Sequence, residues 1–190
     1  MNKLLVSLFC FSLIVLGCDP ERFAIKSYQP IDCRIYSDFH LVHSFADGFV
    51  VDGGGVVGMQ SLYHTQYYFE TYITHIGNSG FKILLRPNVQ ERIVDSGLVL
   101  SFTSPGGLRL DSAGKTIQQN TSFHFPDSTP VFVTIYNEEK FLQVTVGCDT
   151  VVKYFGATLA SDDLVVQSLG DSRVRVQKAE WYKIKFHEGD

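Results

Sequence analysis

From residue 31 onward, short runs rich in Val, Ile, Phe, Tyr and Thr alternate with breaks of Gly, Asn, Asp, Ser or Pro. Runs of this kind read as strands, and their regular spacing as a sandwich or barrel. The pattern predicts strands at 31–36, 41–45, 48–51, 67–76, 80–86, 98–103, 108–111, 131–137, 141–148, 151–155, 164–168 and 173–186, with a break near Ala179. In the run from 131, Val131, Val133 and Ile135 share one face and Phe132, Thr134 and Tyr136 the other. Asn137-Glu138-Glu139-Lys140 forms the turn into the next run, where Phe141 is grouped with Val144 and Val146 and Leu142 is expected to point outward.

No segment carries a sustained apolar stripe at helical spacing. The best short helix candidate, 89–94, amounts to one or two turns. A parallel α/β fold is therefore disfavoured, and an all-β antiparallel β-sandwich of jelly-roll type is the expected class.

The N-terminus breaks this pattern. Lys3 precedes an uncharged, mainly apolar run from Leu4 to Leu16, which closes on the small residue Gly17. This is the order of a signal peptide, and the run is shorter than the roughly 20 residues that span a bilayer. Val15-Leu16-Gly17-Cys18 resembles the lipobox of bacterial lipoproteins. That resemblance implies cleavage before Cys18, acylation of its thiol (palmitate among the chains) and anchoring to a membrane of the bacterial cell envelope. Asp19 resembles the inner-membrane retention signal of enterobacterial lipoproteins, although other phyla sort differently. The expected organisation is a signal peptide over 1–17, a lipid-attached lead over 18–30 and one β-sandwich domain over 31–190. Loss of Lys3 with the leader takes the formal charge from −4 to −5. A mildly acidic mature chain has no electrostatic footprint for nucleic acid.

Of the four cysteines, Cys10 leaves with the leader and Cys18 carries lipid. Cys33 and Cys148 remain, either joined as one disulfide or separate as buried thiols.

Gly53-Gly54-Gly55-Val56-Val57-Gly58 has the spacing of a dinucleotide-binding fingerprint, yet Met59 to His64 offers no helix to receive a pyrophosphate, so a glycine-rich turn is expected. His40 and His43 fall on opposite faces of a strand and no ligand cluster completes a zinc site. No cofactor is expected; calcium is the one ion left open, on Asp162, Asp163 and Asp171. Gly77-Asn78-Ser79-Gly80 lacks the spacing of a nucleophile elbow and reads as a turn. A strand-borne glycosidase pair would ask for acids at i and i+2 or i+4, and no Glu-x-Asp-x-x-Glu occurs; Glu138 and Glu139 read as solvated turn charges. Tyr63, Tyr67, Tyr68, Tyr72, Tyr136, Tyr154, Trp181 and Tyr182 are the more suggestive set. Planar amphipathic rings on strands stack on sugars while neighbouring polar groups bind hydroxyls.

Tyr67-Tyr68-Phe69-Glu70-Thr71-Tyr72-Ile73, then Asn78-Ser79-Gly80, then Phe81-Lys82-Ile83-Leu84-Leu85-Arg86 form an aromatic-acidic strand, a turn and a strand ending in Arg. With the paired runs at 130–135 and 141–146 and the closing Arg173-Val174-Arg175-Val176-Gln177, this resembles the concanavalin A-like lectin and glucanase superfamily, including laminin G-like and 3-keto-disaccharide hydrolase-type domains. The resemblance implies a jelly roll that binds carbohydrate or another envelope component, with Tyr68, Glu70, Tyr72 and Arg86 as ligand-binding residues. The catalytic acids of laminarinases are missing, so a noncatalytic domain is the leading expectation. The alternatives are a small glycoside hydrolase or lyase of keto-sugar type, and a structural lipoprotein that partners an envelope protein.

Overall fold

The computed structural model describes residues 26–30, 34–37, 41–60, 66–85, 97–103, 106–138, 140–156 and 163–186. The chain divides into two units, one of 30–183 and one made of 1–29 with 184–190. Within the smaller, the described residues belong to β1 (Lys26–Pro30) and to the end of β15 (Arg173–Phe186), and β1 pairs with β15. The expected helix at 89–94 lies outside the described residues, among which there is no helix.

The larger unit is two antiparallel sheets. The first contains β3 (Val42–Phe45), β4 (Gly48–Asp52), β6 (Tyr67–Ile76), β11 (Val131–Glu138), β12 (Phe141–Val146), β13 (Asp149–Phe155) and β15, in the order β13-β12-β11-β6-β15-β4-β3. The second contains β2 (Arg34–Ser37), β5 (Val56–Gln60), β7 (Phe81–Leu85), β8 (Leu98–Thr103), β9 (Gly107–Ser112), β10 (Lys115–Asn120) and β14 (Asp163–Ser168), in the order β10-β9-β8-β7-β14-β5-β2. Alternate residues of both sheets meet in one core that includes Val51, Met59, Phe69, Ile83, Leu100, Leu110, Ile135, Val144, Leu164 and Val176. Period-two alternation produces this arrangement directly, because every second side chain of a strand faces the opposite sheet.

Three strands escape the hydrophobic pattern, the first being β1, which falls within the expected lead over 18–30. β5 follows the glycine run, and β10, reading Lys-Thr-Ile-Gln-Gln-Asn, is a polar edge strand whose side chains are mostly exposed. The glycine run itself is a turn between β4 and β5, with positive φ at Gly53 and Gly54 and a strand after it. The break near Ala179 is present as a register shift between Gln177 and Glu180, with Lys178 at φ 50°. Leu142 corrects the expectation that it points outward. It is buried in the core in phase with Val144 and Val146, so it is Phe141, opposite Glu138, that takes the outer face.

The outer face of the second sheet carries its own buried apolar cluster of Leu84, Val99 and Val165. The outer face of the first sheet carries polar and aromatic side chains instead.

Candidate functional site

β6 sorts its side chains by strict alternation. Tyr67, Phe69, Thr71 and Ile73 are buried toward the core, while Tyr68, Glu70 and Tyr72 stand on the outer face. Its neighbours β11 and β15 are in register, so the outer residues form three rows across the strands. The rows are Tyr136, Tyr68 and Tyr182; then Thr134, Glu70 and Glu180; then Phe132, Tyr72 and Gln177.

The first row opens a run of rings that continues into β12 and β13 two residues along, in the register row of Glu138. Tyr68 and Tyr182 have centroids 5.9 Å apart, Phe141 of β12 lies 5.8 Å from Tyr136, and Phe155 of β13 lies 4.9 Å from Phe141. Phe155 is 71% exposed, an unusual condition for phenylalanine and the open end of the ladder. In the third row Tyr72 and Phe132 are 5.2 Å apart, and the Lys178 ammonium sits 5.9 Å from the Tyr72 ring centroid.

Between these rows, Glu70 and Glu180 are direct cross-strand partners. Like charges so placed repel each other. The Tyr182 hydroxyl lies between them, 2.5 Å from Glu180 Oε2 and 3.2 Å from Glu70 Oε1. Its one proton can be donated to only one of the two carboxylates at a time. The hydrogen bond to Glu180 is the main cause that holds the phenol proton on above the ordinary tyrosine range, with burial and the two negative charges adding to it. Tyr136 donates in the same way to Glu138, so Glu138, expected to be a solvated turn charge, closes β11 as the acceptor of a ring on this face.

Three of the four residues expected to bind ligand are therefore brought together, and Arg86 lies outside the described residues. Of the other aromatics, Tyr136 and Tyr182 join the face and Tyr63 lies outside the described residues. Tyr67 and Trp181 are corrected from candidate ligand surface to core, their rings 4.5 Å apart and Trp181 also 5.0 Å from Phe69. Tyr154 is partly buried against the core as well. Glu180, Phe132, Phe141 and Phe155 also belong to this face, though none is a candidate ligand residue in the sequence. The phase of Leu142 was the available signal for Phe141, since burying the leucine turns its neighbour outward.

Cys18 and Cys33 lie outside the described residues, and Cys148 is exposed in the β12–β13 turn. No group of three metal-ligating side chains occurs among the described residues. Of the residues named for calcium, Asp162 lies outside the described set and the Asp171 carboxylate accepts the Ser79 hydroxyl at 2.7 Å.

A second polar cluster lies where the turns β6–β7, β14–β15 and β4–β5 meet. Ser172 Oγ lies 3.2 Å from His75 Nε2, and His75 Nδ1 lies 3.8 Å from Asp127 Oδ1, an order of residue types that suggests a hydrolytic triad. The hydrogen bonding excludes that role. Ser172 is fully buried, and its oxygen already accepts from the backbone N–H groups of Ser79 at 3.0 Å and Gly80 at 2.8 Å. Both lone pairs are occupied, so the hydroxyl donates to His75 Nε2 and has no free pair for attack. With Nε2 as the acceptor, the neutral ring carries its proton on Nδ1, on the side of Asp127. It also lines a cavity of about 170 Å³ with Phe81, Phe102, His124 and Phe125.

Burial is the main cause lowering the His75 pKa below its ordinary 6.5, and Asp127 opposes it only in part. The unfolded chain therefore takes up a proton at a higher pH than the native one. Stability is full above 6.5 and falls as pH drops through that value toward the lower native one. Urea midpoints measured from neutral pH down to about pH 5 are expected to decline, and a His75→Asn variant to start lower but decline less steeply. Equal slopes in the two proteins would contradict this assignment.

No protein family and no curated protein matches the sequence. Solved structures do match the fold. The chain is similar to the carbohydrate binding module CBM66 from Bacillus subtilis, with a TM-score of 0.60 and 10% identity over 82% of this chain and 98% of that one. It is similar to a putative glycosyl hydrolase from Parabacteroides distasonis, with a TM-score of 0.61 and 6% identity over 83% and 99%. It also matches a protein of unknown function with a galectin-like fold from Bacillus subtilis, with a TM-score of 0.55 and 9% identity over 85% and 100%. These likenesses define the class as an antiparallel jelly-roll sandwich with a galectin-like fold. At such low identity they carry the fold alone.

Proposed function

We propose that this protein is a noncatalytic carbohydrate-binding domain and that the outer face of the first sheet is its binding site. The observation that carries the reading is the Tyr136–Tyr68–Tyr182 row laid beside the Glu70–Glu180 pair. Ring faces carry partial negative charge and attract the C–H faces of sugars, while carboxylates accept hydrogen bonds from hydroxyls. The fold it shares with a carbohydrate binding module supports the same reading. Binding is favoured over glycoside hydrolysis because the Tyr182 hydroxyl occupies the space between the carboxylates, where a scissile bond would have to lie. The signal-peptide pattern and Cys18 support a lipid anchor that would hold the domain on a membrane of the cell envelope.

A glycan array probed with the protein from Asp19 onward tests the reading. The expected result is selective binding that falls by about tenfold or more in Tyr68→Ala and Tyr182→Ala, with fold preserved by circular dichroism, as expected for aromatic anchors at the centre of a site. Binding to no glycan, or binding unchanged in both variants, would refute it. Mass spectrometry of the membrane fraction tests the anchor through the acyl mass on an N-terminal Cys18.

A further inference from the structure

The ring ladder contains more than a single sugar requires, and its extent bears on what kind of glycan it takes. Phe155, Phe141, Tyr136, Tyr68 and Tyr182 come from five adjacent strands, β13-β12-β11-β6-β15. Four strand spacings amount to about 19 Å. The path crosses the strands from the sheet interior, steps two residues along β11 from the Tyr136 row to the Glu138 row where Phe141 and Phe155 lie, and ends at the β13 edge in the exposed ring of Phe155.

Ring planes are inclined by 44° at Tyr68–Tyr182, 57° at Tyr136–Phe141 and 40° at Phe141–Phe155. A flat crystalline surface needs coplanar rings to contact, whereas inclined rings suit one flexible chain whose sugars turn relative to each other. The flanking charges narrow the class further. Glu70, Glu180 and Glu138 stand beside the three tyrosines, and the acceptors they provide match neutral hydroxyls but repel carboxylate or sulfate groups. Lys178 is beside Tyr72 in the third row, and Lys153, opposite Gln143 and so in register with Tyr136, stands at the β13 end of the face, three strands from Glu70.

Resting on the carbohydrate-binding reading above, we infer that the ligand is an internal run of a single, uncharged polysaccharide chain lying across the strands from β15 to β13. A chain end or a single sugar would contact only part of the path. Phe155 extends the site at its outer end, and the Tyr68–Tyr182 pair with Glu70 and Glu180 is its centre.

Calorimetric titration with neutral β-glucan oligosaccharides, from monosaccharide to hexasaccharide, tests this alongside a polyuronate chain and an insoluble crystalline glucan. Affinity is expected to rise with chain length and then level off, with the polyuronate and the crystalline glucan bound far more weakly. Phe155→Ala, at an exposed position that does not threaten the fold, is expected to lower affinity for the hexasaccharide about fivefold and leave the disaccharide unchanged, as loss of a peripheral contact does. Tyr68→Ala is expected to weaken both. Affinity that does not change with length, or a stronger response to the polyuronate, overturns the inference while leaving the carbohydrate reading intact. Failure to bind these probes together with a blank glycan array overturns both.

Discussion

Gly80→Ala is expected to destabilise the protein by at least about 3 kcal/mol, enough to leave a marginal domain largely unfolded at modest urea concentrations. A Cβ built at this position would lie 2.0 Å from the Phe102 carbonyl oxygen and 2.9 Å from Thr103 Cα, and both contacts are backbone. Backbone of β8 cannot move aside without parting from β7, to which it is paired from Phe81 to Leu85. The φ of 94° adds strain for any side chain. Gly54→Ala makes the natural control. Its φ of 85° imposes the same kind of strain, but nothing lies within 4 Å of its Cβ, so a loss of only about 1 kcal/mol is expected. Equal urea midpoints for the two variants would show that the close approach at Gly80 does not govern the loss.

Ser172→Ala is the second large effect. It removes the acceptor of two backbone N–H groups and the donor to His75, all at the junction of three turns. Each unsatisfied buried group costs about 1–3 kcal/mol, so a total near 3 kcal/mol is expected, read as a lowered urea midpoint with an unchanged slope. Ser79→Ala, which gives up only an exposed bond to Asp171, is expected to stay within about 0.5 kcal/mol of the wild type. A Ser172→Ala loss as small as that of Ser79→Ala would mean that the cluster is not what ties these turns together.

These two residues also show how a motif can be visible while its purpose is not. Asn78-Ser79-Gly80 stands out in the sequence as a turn, and it is one. Nothing local says that its amides converge on a hydroxyl 92 residues later, or that this hydroxyl silences an apparent Ser-His-Asp arrangement. A hydrogen bond between turns is decided by how the sheets stack, and the sequence pattern carries no term for that.

The proposed binding face divides along the same line. Alternation in Tyr67-Tyr68-Phe69-Glu70-Thr71-Tyr72 already assigns Tyr68, Glu70 and Tyr72 to one side of a strand, because a strand has only two sides. The sandwich class follows from the same period, repeated along the chain. Where alternation is blurred the reading goes astray. Phe141-Leu142 offers two large apolar residues in succession, and only pairing with β11 determines that the leucine goes in and the phenylalanine out. β5 and β10 lack a clear apolar alternation and become strands through their neighbours' unpaired backbone groups.

Local chemistry thus sets which residues can face outward, since side-chain period is a property of the backbone. Which of them meet is set by register between strands distant in the chain. Tyr182 reaches Glu70 across 112 residues, and Tyr136, Tyr68 and Tyr182 form one row, with Phe141 and Phe155 adjoining it two residues along, only because five strands align. That alignment is fixed by burial of the opposite face, where a slip of one residue would expose the core.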